Sequence, residues 1–220
     1  MAGRETLEAI AAIAEHHDLV LVSDEAYEHV IFDGRKHVSL GSLPAAQPRT
    51  ISVYSLSKTY AMSGLRLGYV IVNQPLYLER MKKLVRCTIN GVNSVAQHGA
   101  AAALNGPQDF TVSMATEYQT RRDVLFAAVE QAPYLSPFKP GGAFYLWARI
   151  RPDWPGYGCA KDDWSMTNYL IDKAGIGSSP GSAFGRAGAG HIRFAFSCST
   201  DQVEEAARLL PSTLQAASSI

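Results

Sequence analysis

Residues 51–68 read Ile51-Ser52-Val53-Tyr54-Ser55-Leu56-Ser57-Lys58-Thr59-Tyr60-Ala61-Met62-Ser63-Gly64-Leu65-Arg66-Leu67-Gly68. The apolar start of this stretch predicts a strand that delivers the polar residues behind it. Ser55 lies three positions before Lys58, and Arg66 lies eight positions after it. A lysine amine forms a Schiff base with a carbonyl group, while a hydroxyl and a guanidinium together hold a phosphate. The stretch therefore predicts a site that can form a Schiff base and bind a phosphate.

A second candidate segment lies upstream, at residues 18–27. Its continuous Leu and Val run predicts a parallel strand that is covered on both faces. The strand runs into Asp24 and, three residues on, Tyr27. Ligands of open α/β sheets sit beyond the carboxyl ends of strands, where an aspartate can contact them. Acidic residues at strand ends are also common turn formers, so this segment alone leaves both interpretations open.

A third candidate is Arg193, in the segment 191–197 near the C-terminus. Apolar and polar residues alternate there, which predicts a half-buried strand. A guanidinium in such a strand needs an anionic partner, because an unpaired buried charge is costly. The partner is either a ligand carboxylate held in a bidentate fork or an Asp or Glu in a structural salt bridge.

Residues 55–68 resemble the lysine-attachment signature of class I/II aminotransferases, fold-type I enzymes that use pyridoxal 5′-phosphate (PLP). The resemblance implies that Lys58 forms the Schiff base with PLP and acts as the general base of the reaction. It also implies that Ser55 and Arg66 bind the cofactor phosphate, with Ser57 assisting them.

The two other segments resemble further motifs of this family. The Asp-x-x-Tyr pattern implies that Asp24 keeps the cofactor ring nitrogen protonated and that Tyr27 hydrogen-bonds the ring oxygen. Residues 180–185, Pro-Gly-Ser-Ala-Phe-Gly, followed by Arg193 resemble the C-terminal motif of the family. In that motif the arginine binds the α-carboxylate of the substrate, which is the role that the resemblance implies for Arg193.

Helical and strand patterns alternate along the chain and predict an α/β fold. The resemblance to the aspartate-aminotransferase-like group runs over residues 4–210. It implies the C-terminal part of a PLP-transferase large domain, with a mostly parallel sheet and helices, followed by a smaller α+β domain. We assign residues 1–105 to the partial cofactor-binding domain with its connecting helix, and residues 106–220 to the small domain.

Local patterns give predictions for the remaining elements. Residues 39–49 contain two prolines and predict an irregular loop. A helix predicted at residues 110–131 carries Arg122 on its solvent side. Residues 140–142, Pro-Gly-Gly, introduce a strand at residues 143–150. A closing helix is predicted from residue 201 to residue 210, followed by a polar tail that frays.

The composition narrows the classes of partner and compartment. The 20 basic and 20 acidic residues cancel, and no basic run occurs, which argues against nucleic-acid binding. No apolar run reaches the ~20 residues that span a membrane. Three scattered cysteines, and histidines without ligand spacing, predict free thiols, a cytoplasmic location and no metal site. The charged fraction of 18% favours a surface buried against a partner, and the resemblance implies a homodimer.

Three functional hypotheses follow from these observations. The first is an aminotransferase that moves an amino group between an α-amino acid and a 2-oxo acid. The second is a C–S or other β-lyase of the same fold. The third is an inactive truncated remnant, because this sequence lacks the Asn-Pro-x-x-Pro-Thr-Gly motif of the family. The chain is accordingly interpreted as a fragment, a truncated gene product or a gene model with a misplaced start.

Overall fold

The computed structural model describes residues 2–217. The first elements along the chain are α1 (Arg4–His16), β1 (Leu21–Asp24), β2 (Thr50–Ser55), α2 (Leu56–Thr59), β3 (Gly68–Val72), α3 (Pro75–Thr88), α4 (Ser94–Asn105) and α5 (Asp109–Gln131). Then follow β4 (Leu135–Phe138), β5 (Tyr145–Ile150), α6 (Asp163–Ala174), β6 (Ser179–Pro180), β7 (His191–Ala195) and α7 (Thr200–Ala216). The chain divides into two compact units, residues 1–115 and 116–220. The domain boundary that we assign at residue 106 stays a prediction.

The first unit contains a mixed sheet of three strands in the order β1-β2-β3. β1 is parallel to β2, as the sequence predicts, and Leu21 stands opposite Thr50. β2 is antiparallel to β3. The predicted cover on both faces of β1 is wrong for this unit, because Val22 is 69% exposed and Val20 is 48% exposed. β1 is an edge strand, and within the first unit no second layer covers these side chains.

One buried cluster of the first unit lies between α1 and the segment that connects β1 to β2. Ala11 of α1 packs with Leu40, Leu43 and Ala46 in one buried cluster. The connecting segment is not the irregular loop that its prolines predict. It contains two short 3₁₀ helices, at Leu40–Ser42 and Gln47–Arg49, and Pro48 is compatible with the second because a proline fits the first turn of a helix.

The second unit contains an antiparallel sheet in the order β4-β5-β7-β6. Alternate residues of its two central strands are buried, among them Leu146 and Phe194, and they form a core with Met166 and Leu170 of α6. The sequence analysis missed β4 because Pro137 interrupts its pattern. β4 lies at the edge of the sheet, where a proline removes no hydrogen bond from an outer neighbour.

Two helices, α7 and α5, differ from the sequence predictions. α7 continues through Pro211 to Ala216, where a fraying tail is predicted. Leu210 and Leu214 lie on one face and are fully buried, so packing stabilises the last turns despite the proline. Residues 218–220 of the predicted tail lie outside the described residues.

The prediction that Arg122 faces solvent is also wrong. Arg122 of α5 is completely buried. Its Nη1 donates to Pro140 O at 3.0 Å, and its Nη2 lies 2.9 Å from Asp123 Oδ1. These partners replace the water that a buried guanidinium loses. The helical period therefore predicts α5 but not the side that Arg122 takes, since a paired arginine is compatible with a core.

Candidate functional site

The predicted cofactor residues of the first unit lie at one edge of its sheet. Asp24 is the last residue of β1 and stands opposite Val53, and Ser55 is the last residue of β2. The two strands are parallel, so their carboxyl ends meet at the same edge. Lys58 follows directly in α2. The structure therefore brings these residues to the place where ligands bind in open α/β sheets.

Lys58 lies on a single helical turn that is fixed at both ends. Ser55 caps this turn, and its Oγ accepts a hydrogen bond from the Ser57 N–H at 3.2 Å. Leu56 and Thr59 are each 1% exposed and anchor the turn in the unit, whereas Lys58 is half-buried. Thr59 Oγ1 is buried without a hydrogen-bond partner among the described residues. A polar atom left unpaired beside Lys58 is compatible with a site that receives a ligand.

Arg66 takes a backbone conformation that costs energy. Its φ of 53° and ψ of 47° lie in the left-handed region, which disfavours residues with a Cβ. Its Nη1 donates to Ser63 O at 3.0 Å, and the side chain is otherwise exposed. Backbone strain of this kind is concentrated at binding sites, where a side chain points in a direction that a relaxed backbone would not give it.

Gly68, the last residue of the stretch 51–68, lies where β2 and β3 approach each other closely. It stands opposite Ser55 in the β2–β3 ladder. A Cβ on Gly68 would lie 2.4 Å from Tyr54 O, so no larger residue fits without a shift of the backbone. The close approach also allows Leu56 N–H to donate to Leu67 O at 3.2 Å, which ties the start of α2 to the chain after Arg66.

Asp24 and Tyr27 occupy the turn after β1. Asp24 is exposed, and its Oδ1 accepts a hydrogen bond from the Ala26 N–H at 3.2 Å. Asp24 therefore forms the turn that the simpler interpretation predicts, while its carboxylate remains at the sheet edge. Tyr27 is half-buried. The same turn places both side chains, and the buried carboxylate of Glu25 lies between them in the sequence.

The surroundings of this turn favour uncharged side chains. Burial is the main cause that raises the pKa of Glu28 and lowers the pKa of His29. It is likewise the main cause that raises the pKa of Tyr54 and of Tyr69. Each shift disfavours the charged form, which indicates poor hydration beside the sheet edge.

In the second unit, Arg193 lies between two aromatic rings. It belongs to β7 and stands opposite Trp147 of β5. Its Cζ lies 4.3 Å from the centroid of the Tyr145 ring and 4.2 Å from that of the Phe184 ring. Its Nε is buried without a hydrogen-bond partner, and no Asp or Glu among residues 2–217 pairs with it. The structural salt bridge is therefore absent from the described residues, and the guanidinium suits a ligand carboxylate.

Phe184 is positioned by the turn that the sequence analysis singles out. A 3₁₀ helix covers Gly181–Phe184, and the Ser182 N–H donates to the buried Asp163 Oδ2 at 2.5 Å. A Cβ on Gly181 would lie 2.1 Å from Gly188 O, and a Cβ on Gly188 would lie 2.0 Å from Gly181 O. The turn can therefore close only with glycine at both positions.

The sequence analysis missed two groups of this second site. Tyr145 was not singled out, although it alternates with Trp147 on the face of β5 that carries Arg193 in β7. Asp163, whose carboxylate accepts the hydrogen bond from the Ser182 N–H, was not singled out either. The alternation was visible in the sequence, but the register of β5 against β7 was not.

Two classes of feature are absent from the part of the chain that the structure describes. Within residues 2–217, no helix is long and apolar enough to cross a membrane. In the same residues, no group of three or more His, Cys, Asp or Glu side chains is arranged to hold a metal ion.

Comparison with known proteins identifies relatives for nearly the whole chain. The family profile described as aminotransferase class I and II matches residues 1–210. The chain is 35% identical over 205 residues to the arginine–pyruvate transaminase of Pseudomonas aeruginosa, covering 93% of this chain and 50% of that protein. It is 36% identical over 205 residues to an aspartate aminotransferase of Pyrococcus abyssi, covering 92% and 51%. The crystal structure of an aromatic aminotransferase from Pyrococcus horikoshii matches with a TM-score of 0.91 at 32% identity, over 100% of this chain and 57% of that one.

These matches bear on both fold and family. The chain spans about half the length of the curated relatives that it matches. The predicted fold class, the C-terminal part of an aminotransferase fold, is confirmed by the similarity to solved aminotransferases. The chain belongs to the class I and II aminotransferase family.

Proposed function

We propose that this chain carries the lysine-bearing part of a PLP-dependent aminotransferase, which moves an amino group between an α-amino acid and a 2-oxo acid. The observation that carries the proposal is the position of Lys58, one turn beyond the carboxyl end of β2 and beside the end of β1 that bears Asp24. The names of the relatives, which include aspartate, aromatic and arginine–pyruvate aminotransferases, support amino transfer as the reaction class.

The side chains at this edge suit PLP. The cofactor has an aldehyde, a basic ring nitrogen, a ring oxygen and a phosphate, and each needs a different partner. The segments that follow β1 and β2 carry an amine, a carboxylate, a phenol, two hydroxyls and a guanidinium, at Lys58, Asp24, Tyr27, Ser55, Ser57 and Arg66. The set of donors and acceptors therefore fits the groups of the cofactor.

Each residue has a distinct proposed task. PLP, when bound, supplies an electron sink that stabilises negative charge at the substrate Cα. The Lys58 amine holds the cofactor covalently and, when released, moves the Cα proton. Asp24 holds a proton on the ring nitrogen, and Tyr27 donates a hydrogen bond to the ring oxygen. Ser55 and Arg66 bind the phosphate, and Ser57 assists them.

For Arg193 we propose the role of binding the α-carboxylate of the substrate. Arg193 is half-buried with its Nε buried and unpaired, its guanidinium lies against two rings, and it has no acidic partner among residues 2–217, so a carboxylate would be its first full partner. This role favours substrates that keep their carboxylate. We also propose that a protein with the full length of this family acts as a homodimer. Burial of a surface in the dimer would account for the low charged fraction of this chain.

The test of this function is site-specific trapping of the cofactor. The chain is mixed with PLP and reduced with borohydride, and mass spectrometry locates the adduct. We expect a stoichiometric adduct on Lys58, its loss in Lys58→Ala, and wild-type labelling in Lys36→Ala, which replaces an exposed lysine of the same unit. Labelling spread over surface lysines, or none, would contradict the proposal.

A second measurement separates amino transfer from lysis. Loaded protein is supplied with α-amino acids, and the products are analysed. A 2-oxo acid with the aminated cofactor supports the transferase, whereas ammonia with pyruvate supports the β-lyase. Turnover in Lys58→Ala above that of free PLP would contradict the role of Lys58 in either reaction.

A further inference from the structure

A buried carboxylate, Glu25, lies one residue beyond Asp24 and has no task in the proposed function. Its Oε2 accepts a hydrogen bond from His37 Nε2 at 2.6 Å, and its Oε1 accepts one from Ser39 Oγ at 2.7 Å. Its backbone N–H donates to Val53 O at 2.8 Å, which extends the contact between β1 and β2 by one residue. A carboxylate is tolerated at 4% exposure only where such partners replace its water. Glu25 is therefore held from three sides.

The hydrogen-bond path continues from Ser39 to Tyr54. The two hydroxyl oxygens lie 3.2 Å apart. Ser39 gives its single proton to Glu25, so the Tyr54 hydroxyl is the donor of the next bond. Burial raises the pKa of Tyr54, and the hydroxyl therefore keeps its proton through neutral pH. The Tyr54 ring is itself fixed, because it stacks on Tyr69 with the centroids 4.9 Å apart.

The two ends of this path adjoin the two halves of the proposed cofactor site. Tyr54 directly precedes Ser55 at the end of β2, and Glu25 directly follows Asp24 at the end of β1. The path from Tyr54 through Ser39 to Glu25 therefore spans the gap between the strand that delivers the lysine and the strand that delivers the aspartate. None of its side chains is needed to contact the cofactor.

We propose that Glu25, Ser39 and Tyr54 are positioning residues, which set the spacing between Asp24 and the Ser55–Lys58 turn so that both reach one PLP molecule. The inference rests on the proposed function. It assigns these residues no chemical step, since they act only through the backbone of their neighbours. A loose spacing would leave the ring nitrogen or the aldehyde out of reach, and so weaken cofactor binding.

The test changes one hydrogen-bonding group of this path in each variant. Tyr54→Phe keeps the stacked ring, and Glu25→Gln keeps the shape of the carboxylate. We expect each variant to bind PLP about three- to tenfold more weakly, the range for one lost hydrogen bond. The double variant should lose less than the product of the two effects, because both changes break the same path. The pH dependence of the visible absorption of the lysine-bound cofactor should also change, because Asp24 moves relative to Lys58.

The matched control is Tyr69→Phe, which removes the hydroxyl of the stacking partner and leaves the path intact. It should bind PLP like the wild type. A readout without cofactor is hydrogen exchange of residues 24–28, which should speed up in Tyr54→Phe although the substitution lies on the other strand. Faster exchange together with weaker PLP binding would support the positioning role, because a change on β2 would then alter the turn after β1 and the cofactor site at once.

The outcomes separate the two proposals. A wild-type chain without an adduct on Lys58 would overturn the proposed function and the positioning role with it. An adduct on Lys58, with Tyr54→Phe and Glu25→Gln matching Tyr69→Phe in affinity and absorption, would overturn the positioning role alone. Altered exchange or melting with unchanged affinity and absorption would also overturn it, because the bonds would then serve only the stability of the fold.

Discussion

At the scale of single residues, the environment of Arg193 shows what a sequence can and cannot tell. Its type and its place in an alternating strand predicted a need for an anion. The rings of Tyr145 and Phe184 were not predictable, because they come from another strand and from a turn whose register against β7 is set by packing. Cation–π contacts of this kind hold a guanidinium without satisfying its N–H groups.

The first prediction concerns these two rings. Tyr145→Leu and Phe184→Leu remove one face of the stack each and should free the Arg193 guanidinium. We expect modification of Arg193 by phenylglyoxal, followed by mass spectrometry, to become about two- to fivefold faster, as the loss of a single cation–π contact suggests.

Arg149 provides the internal reference for this experiment. It is exposed on β5 and makes no ring contact with Tyr145 or Phe184, so its modification rate should be the same in all variants. Equal rates at Arg193 in the wild type and both variants would mean that the rings do not restrain the guanidinium.

At the scale of elements, β2 of the β2–α2–β3 segment was predicted from the apolar start of residues 51–68, whereas the short helix α2 was not predicted. Each part of the segment has a local cause: an apolar run for β2, a serine cap for α2 and a glycine at the start of β3. The elements that were mispredicted depend on distant partners. Pro137 is acceptable in β4 because of its edge position, and the last turns of α7 form because Leu214 is buried.

The second prediction tests the close approach of β2 and β3. Gly68→Ala would bring a Cβ to 2.4 Å from Tyr54 O, and a backbone atom cannot move away as a side chain can. We expect a loss of about 1–3 kcal/mol in the free energy of unfolding, measured by thermal or urea denaturation. Gly64→Ala is the matched control, because its Cβ would meet no atom within 4 Å. Equal melting temperatures for the two variants would contradict the crowding.

At the scale of the whole molecule, exposed apolar side chains are distributed unevenly. Most of the large ones lie in the first unit, on α1, on both edge strands of its sheet and on α3, which buries none of its residues. Among the described residues of the second unit, the exposed large apolar ones are Phe138, Trp164, Ile171 and Phe184. Surfaces of this kind mark interfaces or aggregation sites, and the chain spans only about half the length of its relatives.

The third prediction follows from this distribution. We expect the 220-residue chain to bind a hydrophobic dye and to self-associate as its concentration rises, measured by sedimentation velocity. Ile71→Lys places a charge on the edge strand β3 and should reduce association. Ile171→Lys changes a similarly exposed isoleucine of the second unit and should have little effect. A monomeric wild type at all concentrations would contradict this expectation.

The division into two units has a consequence for synthesis. Each unit is continuous in the chain, so the ribosome completes the residues of the first before it begins those of the second. α5 crosses residue 115, and the first unit therefore ends inside a helix that finishes only at Gln131. Domains generally fold as units during translation, and exposed strand edges are then open to wrong pairing. A polypeptide that covers the edges of β1 and β3 would therefore protect them from wrong pairing best if it bound while the chain was still being synthesised.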